Sequence, residues 1–237
     1  MKSSMRTKSC VLASLAIFSA SVAAAAPITL PSSLAPGSTY FLAFVTAGTR
    51  DATSTEIGDY DTFVTTRANM DPALAALGTT WRVIGSTAEV DAVTHIAVTG
   101  PVYNLNGELV ATGSADLFDG SLTNPIDYTE FGDLGITRVW TGSDVSGLPD
   151  GSFALGAGAV RFGLSENTNT SWSSLEIALN FNTRSLYGVS GPLVVPTTTV
   201  PEPSTLSLML GPLLLGVHRR WRGRQATRST RSAPAYH

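Results

Sequence analysis

The side chains best able to do chemistry in this sequence are carboxylates, and they gather in one stretch: Asp116, Asp119, Asp127, Glu130, Asp133 and Asp144. Clustered acids can ligate a hard cation, but calcium takes six to eight oxygens. An aspartate beside a glycine, as in Asp119-Gly120 and Asp150-Gly151, is ordinarily turn chemistry. We take Asp116, Asp119, Asp127 and Asp144, together with Trp140, as a candidate ligand-contacting loop, and assign neither a metal nor a cofactor. Asp59 and Asp61 form a second acidic pair, and acid–base work on a glycoside would depend on their separation in space. His95, in A-V-T-H-I-A-V, is the only histidine between residues 27 and 200, and a lone imidazole among apolar neighbours on a strand or loop reads as structural. There is no G-x-S-x-G elbow for a serine nucleophile and no H-E-x-x-H for zinc. Gly156-Ala157-Gly158 lacks the third glycine of a dinucleotide loop. No catalytic residue is assigned.

The elements that must position these residues are legible in outline. Tyr40 to Thr46 is apolar on both faces, which predicts a central strand. Ile57, Tyr60, Phe63-Val64 and Arg67-Ala68 recur at helical spacing, with Ser54 or Thr55 as the expected cap. Asp71-Pro72 predicts a capped short helix that Gly78 closes. Thr80 to Ile84 predicts a strand around Trp81. Pro101 to Thr112 predicts a hairpin whose Asn106-Gly107 makes a two-residue type I′ turn. After a loop-rich stretch, Ile136 to Trp140, Val160 to Leu164, Leu175 to Phe181 and Leu186 to Val189 read as short strands. Early helices and mostly late strands predict an α+β domain.

Charge narrows the function classes. Between residues 27 and 200 there are seventeen acidic residues against six arginines, and no lysine. Such a region repels phosphate backbones, which argues against nucleic acid as a partner. The single cysteine is Cys10, so disulfides, thiolate metal sites and cysteine catalysis are all excluded for the central region. At the N-terminus, Lys2, Arg6 and Lys8 precede the apolar run Val11 to Val22 and the small residues Ala23 to Ala26. This pattern predicts a signal peptide over residues 1–25, cut after Ala25, and export by the secretion machinery.

At the other end, Pro201-Glu202-Pro203 leads into the apolar run Thr205 to Val217, followed by Arg219, Arg220, Trp221, Arg222 and Arg224. In this order the triplet, the short hydrophobic segment and the basic cluster resemble the PEP-CTERM sorting signal of Gram-negative bacteria. The resemblance implies a processing partner, an exosortase-type membrane-embedded enzyme, and a destination at the cell surface or beyond it. The apolar run is thirteen residues long, short of the roughly 20 a full span needs, which suits a brief transmembrane hold before processing. The positive-inside bias would keep the arginines cytoplasmic. The expected organisation is a signal peptide (1–25), an exported domain (27–193), a Pro/Thr spacer (194–200), the sorting signal (201–224) and a disordered basic tail (225–237).

The central region carries a second resemblance. Phe44-Val45-Thr46, Asp59-Tyr60, the W-x-x-x-x-S-T of Trp81 to Thr87 with Val90-Asp91-Ala92, and P-V-Y-N-L-N-G-E-L-V-A over Pro101 to Ala111 come first. Ala115 to Leu122, Pro125-Ile126, Val139-Trp140-Thr141-Gly142 and Ser185-Leu186-Tyr187 follow. In this order they are similar to the C-type-lectin-like, endostatin-type domain of bacterial surface proteins. The sugar-binding calcium triplets of lectin members are missing, and Tyr187-Gly188 stands where a Tyr-Cys pair would be common, so packing around Phe44, Trp81, Trp140 and Tyr187 must hold the fold. A shared scaffold does not carry a shared activity. The expected function is a non-catalytic interaction module that binds extracellular matrix polysaccharide or protein through Ser114 to Asp150. An extracellular hydrolase acting on polymers is the alternative.

Overall fold

The computed structural model describes residues 26–197, and the compact unit within them ends at Val195. In chain order its elements are β1 (Thr39–Val45), α1 (Ile57–Ala68), α2 (Pro72–Ala75), β2 (Trp81–Val83), α3 (Ala92–His95), β3 (Val102–Asn104), β4 (Leu109–Ala111) and α4 (Ser114–Leu117). Then come β5 (Arg138–Trp140), β6 (Ala159–Leu164), β7 (Glu176–Leu179), β8 (Ser185–Ser190) and β9 (Leu193–Val194), with single 3-10 turns at Gly151–Phe153 and Thr170–Trp172. All nine strands join one mixed sheet in the order β4-β3-β1-β8-β5-β6-β7, so the described unit is a mixed α/β, single-sheet domain with few helices.

β8 is the organising strand. It runs antiparallel to β1 along one side. On its other side β2 covers Gly188 to Ser190 and β5 covers Ser185 and Leu186, end to end. β9 returns beside the start of β1, pairing Thr39 with Val194 and Tyr40 with Leu193. The expected domain limit at residue 193 therefore moves. Val194 lies in the sheet, and Val195 is buried and hydrogen-bonded to Ser38, so two residues assigned to the spacer close the domain.

β1 follows its sequence: from Tyr40 to Val45 every side chain is buried, because a strand flanked on both sides and covered on both faces has no wet positions. α1 spans the predicted positions and buries Tyr60, Val64 and Ala68. Its cap differs from expectation. Glu56 is the N-cap residue and contributes no side-chain bond. Ser54 acts two residues earlier, accepting from Glu56 N (3.1 Å) and donating to Asp59 Oδ2 (2.6 Å). Asp71 caps α2 as predicted, accepting from Ala73 N and Leu74 N with Pro72 at the first helical position.

The β3–β4 hairpin forms, but not with the predicted type I′ turn. Gly107 alone is left-handed (φ 77°), while Asn106 keeps a negative φ. Gly107 N donates to Asn104 O (3.0 Å) and Asn104 N to Glu108 O (2.9 Å), so the loop has three residues and ends on its glycine. Asn104 imposes this longer loop. Fully buried, its Oδ1 accepts from Asn106 N and Glu108 N, and its amide donates to Glu108 Oε2 and Pro125 O.

Each face of the sheet carries its own core. On the α1 face, Phe44 meets Trp81 edge-on (5.2 Å), and Trp140 meets Phe162 likewise (6.2 Å). Trp140 lies on β5, which β8 separates from β1, although its ring shares this core with Phe44. The other face is built on Trp172, which contacts Phe118 and Tyr187, and this second tryptophan centre was not anticipated. Burial drives the Tyr187 hydroxyl pKa far above its ordinary value, and its Oη donates to Trp172 O. α3 and α4 add two short helices to those expected, and all four α-helices precede β5, with only the two 3-10 turns after it. No helix among the described residues is long and apolar enough to cross a membrane.

Candidate functional site: a cleft at the end of the sheet

Where β1 ends, the chain from Thr46 to Thr49 and the segment from Thr129 to Thr137 enclose an open cleft of about 380 Å³. Three sets of bonds position it. Val45 bridges Thr129, with Val45 N donating to Tyr128 O (3.0 Å). Ser165 Oγ accepts from Thr137 N and donates to Gly135 O, pinning the far end. Between them, Glu130 is fully buried: its Oε2 accepts from Ala47 N (2.7 Å) and its Oε1 from Arg67 Nε (2.6 Å). One carboxylate thus ties the cleft loop to β1 and to α1. A Cβ at residue 48 would lie 2.9 Å from the Arg67 guanidinium carbon, so a larger residue there would displace the arginine from this position. Glu130 ranked among the generic loop acids in sequence, and nothing in its near neighbours set it apart.

The lining is rich in hydroxyls, from Thr49, Thr129, Thr137 and Ser185, with Phe131 as the aromatic ring and Leu134 and Ile136 exposed at the rim. The Thr46 hydroxyl is committed, donating to Gly48 O and accepting from Leu186 N. Asp133 is the one titratable side chain in the lining. Asp133 stands there without the second carboxylate of a glycosidase pair.

The acids proposed as a ligand loop do not converge. Asp116 Oδ2 accepts from Thr112 N and Oγ1. Asp119 Oδ1 accepts from Ser121 N and Oγ. Asp144 Oδ1 accepts from Ser146 N, Ser146 Oγ and Leu148 N. Each carboxylate holds its own turn. Trp140 is fully buried, so it cannot contact a ligand, a correction to its place in the candidate loop. Asp127 differs from the rest: it is half-buried and its Oδ1 has no partner. Burial first, then Glu108 and Glu166, raises its pKa.

Asp59 and Asp61 likewise do not form a pair. Asp59 accepts from Ser54, whereas Asp61 Oδ1 accepts from Val83 N (2.8 Å) and meets His95 Nε2 (2.9 Å). His95 lies on the single turn of α3 and not on a strand or loop, and Arg82 donates to its carbonyl. The imidazole links α3 to α1, and Asp61 is its only side-chain partner among the described residues. No group of three or more histidine, cysteine or acidic side chains suited to a metal occurs among the described residues.

Ala25, Pro201, Glu202, Pro203, Arg219, Arg220, Arg222 and Arg224 lie outside the described residues. No family model matches the chain, and no curated protein matches it.

Proposed function

We propose that the chain is an exported, surface-sorted, non-catalytic interaction module. Its domain binds extracellular matrix polysaccharide or a surface protein on a frame of the C-type-lectin-like, endostatin-type kind. The observation that carries the reading is the cleft of Thr46–Thr49 and Thr129–Thr137: open, lined by hydroxyls and one aromatic ring, and lacking a second acid. The pairing of the first strand with the last two supports the closed frame. Secretion by way of the residue 1–25 segment and processing at Pro201-Glu202-Pro203 by an exosortase-type enzyme rest on the sequence patterns at the two ends.

Two experiments test this reading. A glycan and matrix-protein array probed with the full chain, with and without calcium, is expected to give a ligand whose signal falls with Thr49→Tyr or Leu134→Asp, both at exposed positions in the cleft lining. An array signal that neither change alters removes the cleft from the proposal, and turnover of the bound polymer removes the non-catalytic reading. In cells, replacing Pro201-Glu202-Pro203 by alanines is expected to leave an unprocessed, membrane-held form; normal release of that variant refutes the sorting assignment.

A further inference from the structure

Three of the six central arginines stand in one short row. Arg50 and Arg184 are bridge partners joined by two backbone hydrogen bonds (3.0 and 2.9 Å). Val139 is in register with Ser185 on parallel strands, which sets Arg138 beside Arg184. Side chains alternate along a strand, and all three arginines fall on the α1 face. The Arg184 guanidinium carbon lies 3.9 Å from the Phe162 ring centre and 4.8 Å from that of Trp140. That of Arg50 lies 4.3 Å from the Tyr60 ring centre.

Arg138 and Arg184 differ from the others. Arg67 is paired with Glu130 and Arg161 with Asp150, and Arg82 donates to a carbonyl. Arg138 and Arg184 make no ion pair among the described residues, whereas Arg50 meets Asp51 at 4.0 Å and donates from Nε to Asp51 O (3.1 Å) and from Nη1 to Asp59 O (2.8 Å). Arg184 Nε is buried with no hydrogen-bond partner, where buried polar groups ordinarily have one. Like charges placed side by side across strands destabilise a sheet. Burial, followed by the charge of Arg138, lowers the Arg184 pKa, with Glu176 opposing. Of the seventeen acids, none forms an ion pair with Arg138 or Arg184 among the described residues.

We propose that Arg184 and Arg138, with the charge of Arg50 beside them, form a binding strip for the carboxylates of an acidic, uronate-type polysaccharide. A guanidinium held flat against an aromatic ring still presents its N–H edge, which matches a carboxylate bidentately. At an inter-strand spacing of about 4.8 Å the row spans about 10 Å, more than one small anion bridges but within reach of a polymer that repeats its carboxylate. Sugar is favoured over acidic peptide because Phe181, 65% exposed and three residues before Arg184, offers an exposed aromatic face in the same chain segment. The cleft's Thr137 and Ser185, chain neighbours of Arg138 and Arg184, alternate to the other face of the sheet. The inference rests on the matrix-polysaccharide reading and names the charge class of the polymer.

The test is titration of the full chain, purified in mild detergent, with oligogalacturonate, with the same oligomer after reduction of its carboxyls, and with polyglutamate. Oligogalacturonate is expected to bind and to weaken as salt rises, with Arg138→Gln and Arg184→Gln each lowering affinity by about tenfold. Arg82→Gln, which removes the same charge outside the row, is expected to leave affinity within about twofold. Arg138 is exposed and touches no core residue through an ion pair, so if Arg184→Gln loses its fold, Arg138→Gln at unchanged Tm decides. Equal loss from Arg82→Gln, or no loss from Arg138→Gln, overturns the strip. Binding of the reduced oligomer as tight as that of the acid overturns the strip while leaving the cleft reading intact. Polyglutamate binding as tightly as oligogalacturonate overturns the saccharide assignment, and no saturable binding of oligogalacturonate overturns the proposal.

Discussion

The acids between Thr112 and Asp150 and the arginine row at the sheet end are opposites in how their charge is used. Asp116, Asp119 and Asp144 accept from backbone and hydroxyl donors two to four residues away, so each is satisfied by its own turn. Arg50, Arg138 and Arg184 come from three distant segments and meet only through strand pairing; Arg50 reaches Asp51, while Arg138 and Arg184 have no acid partner among the described residues. Charge that is dense along the chain is here structural, while charge gathered by strand register is left free. Asp116, Asp119 and Asp144 therefore do not converge on one surface.

The largest effects test the platform and the anchor on which this contrast depends. Trp140→Ala removes a fully buried ring beneath Arg184, and a loss of about 3–5 kcal/mol is expected in denaturant unfolding. A midpoint unchanged from the parent would place Trp140 outside the core. Glu130→Ala strips the buried partner from Arg67 and Ala47 N, at an expected cost also of about 3–5 kcal/mol. If thermal unfolding shows no such loss, the carboxylate is not what ties the cleft loop to β1.

Smaller changes address the turns. Gly107→Val forces a β-branched residue to φ 77° with its Cβ 3.2 Å from Ile28 Cγ2, and about 1–3 kcal/mol of destabilisation is expected. Asp144→Ala is expected to cost about 1 kcal/mol and to leave oligogalacturonate affinity unchanged; lost affinity at constant Tm would return the acids to the binding surface.

Asp127 is the exception among the loop acids, and its effect has the opposite sign. Its folded-state pKa is raised, so its ionisation penalises the fold above that value. The penalty shrinks as pH falls through it and vanishes below the ordinary value of 3.8. Asp127→Asn is expected to raise Tm modestly at pH 7, with the gain fading toward acid. A gain that persists at pH 3, or a lower Tm at pH 7, would contradict the absence of a partner for Oδ1.

What could be read along the chain was what depends on near neighbours. β1, α1 and the Asp71 cap follow from apolar spacing and from a carboxylate beside free N–H groups. The hairpin was legible, yet its turn type was not, because Asn104 accepts bonds across the loop and selects three residues over two. α3 and α4 are four residues each, too short for any helical period to register. Trp172 went unread because it enters the core from a 3-10 turn in a polar stretch, N-T-N-T-S-W-S-S.

By itself the sequence determined a cysteine-poor, acid-rich central domain, its main strands and first helices, and the patterns at its two ends from which export and sorting are proposed. Those properties are sums over composition or bonds between near neighbours. Which acid is buried, which tryptophan stacks beneath a cation and which three arginines stand in a row were decided only by tertiary structure. Strand order and register bring residues 50, 138 and 184 within one span, and no spacing along the chain encodes a distance set by the pairing of strands remote in sequence.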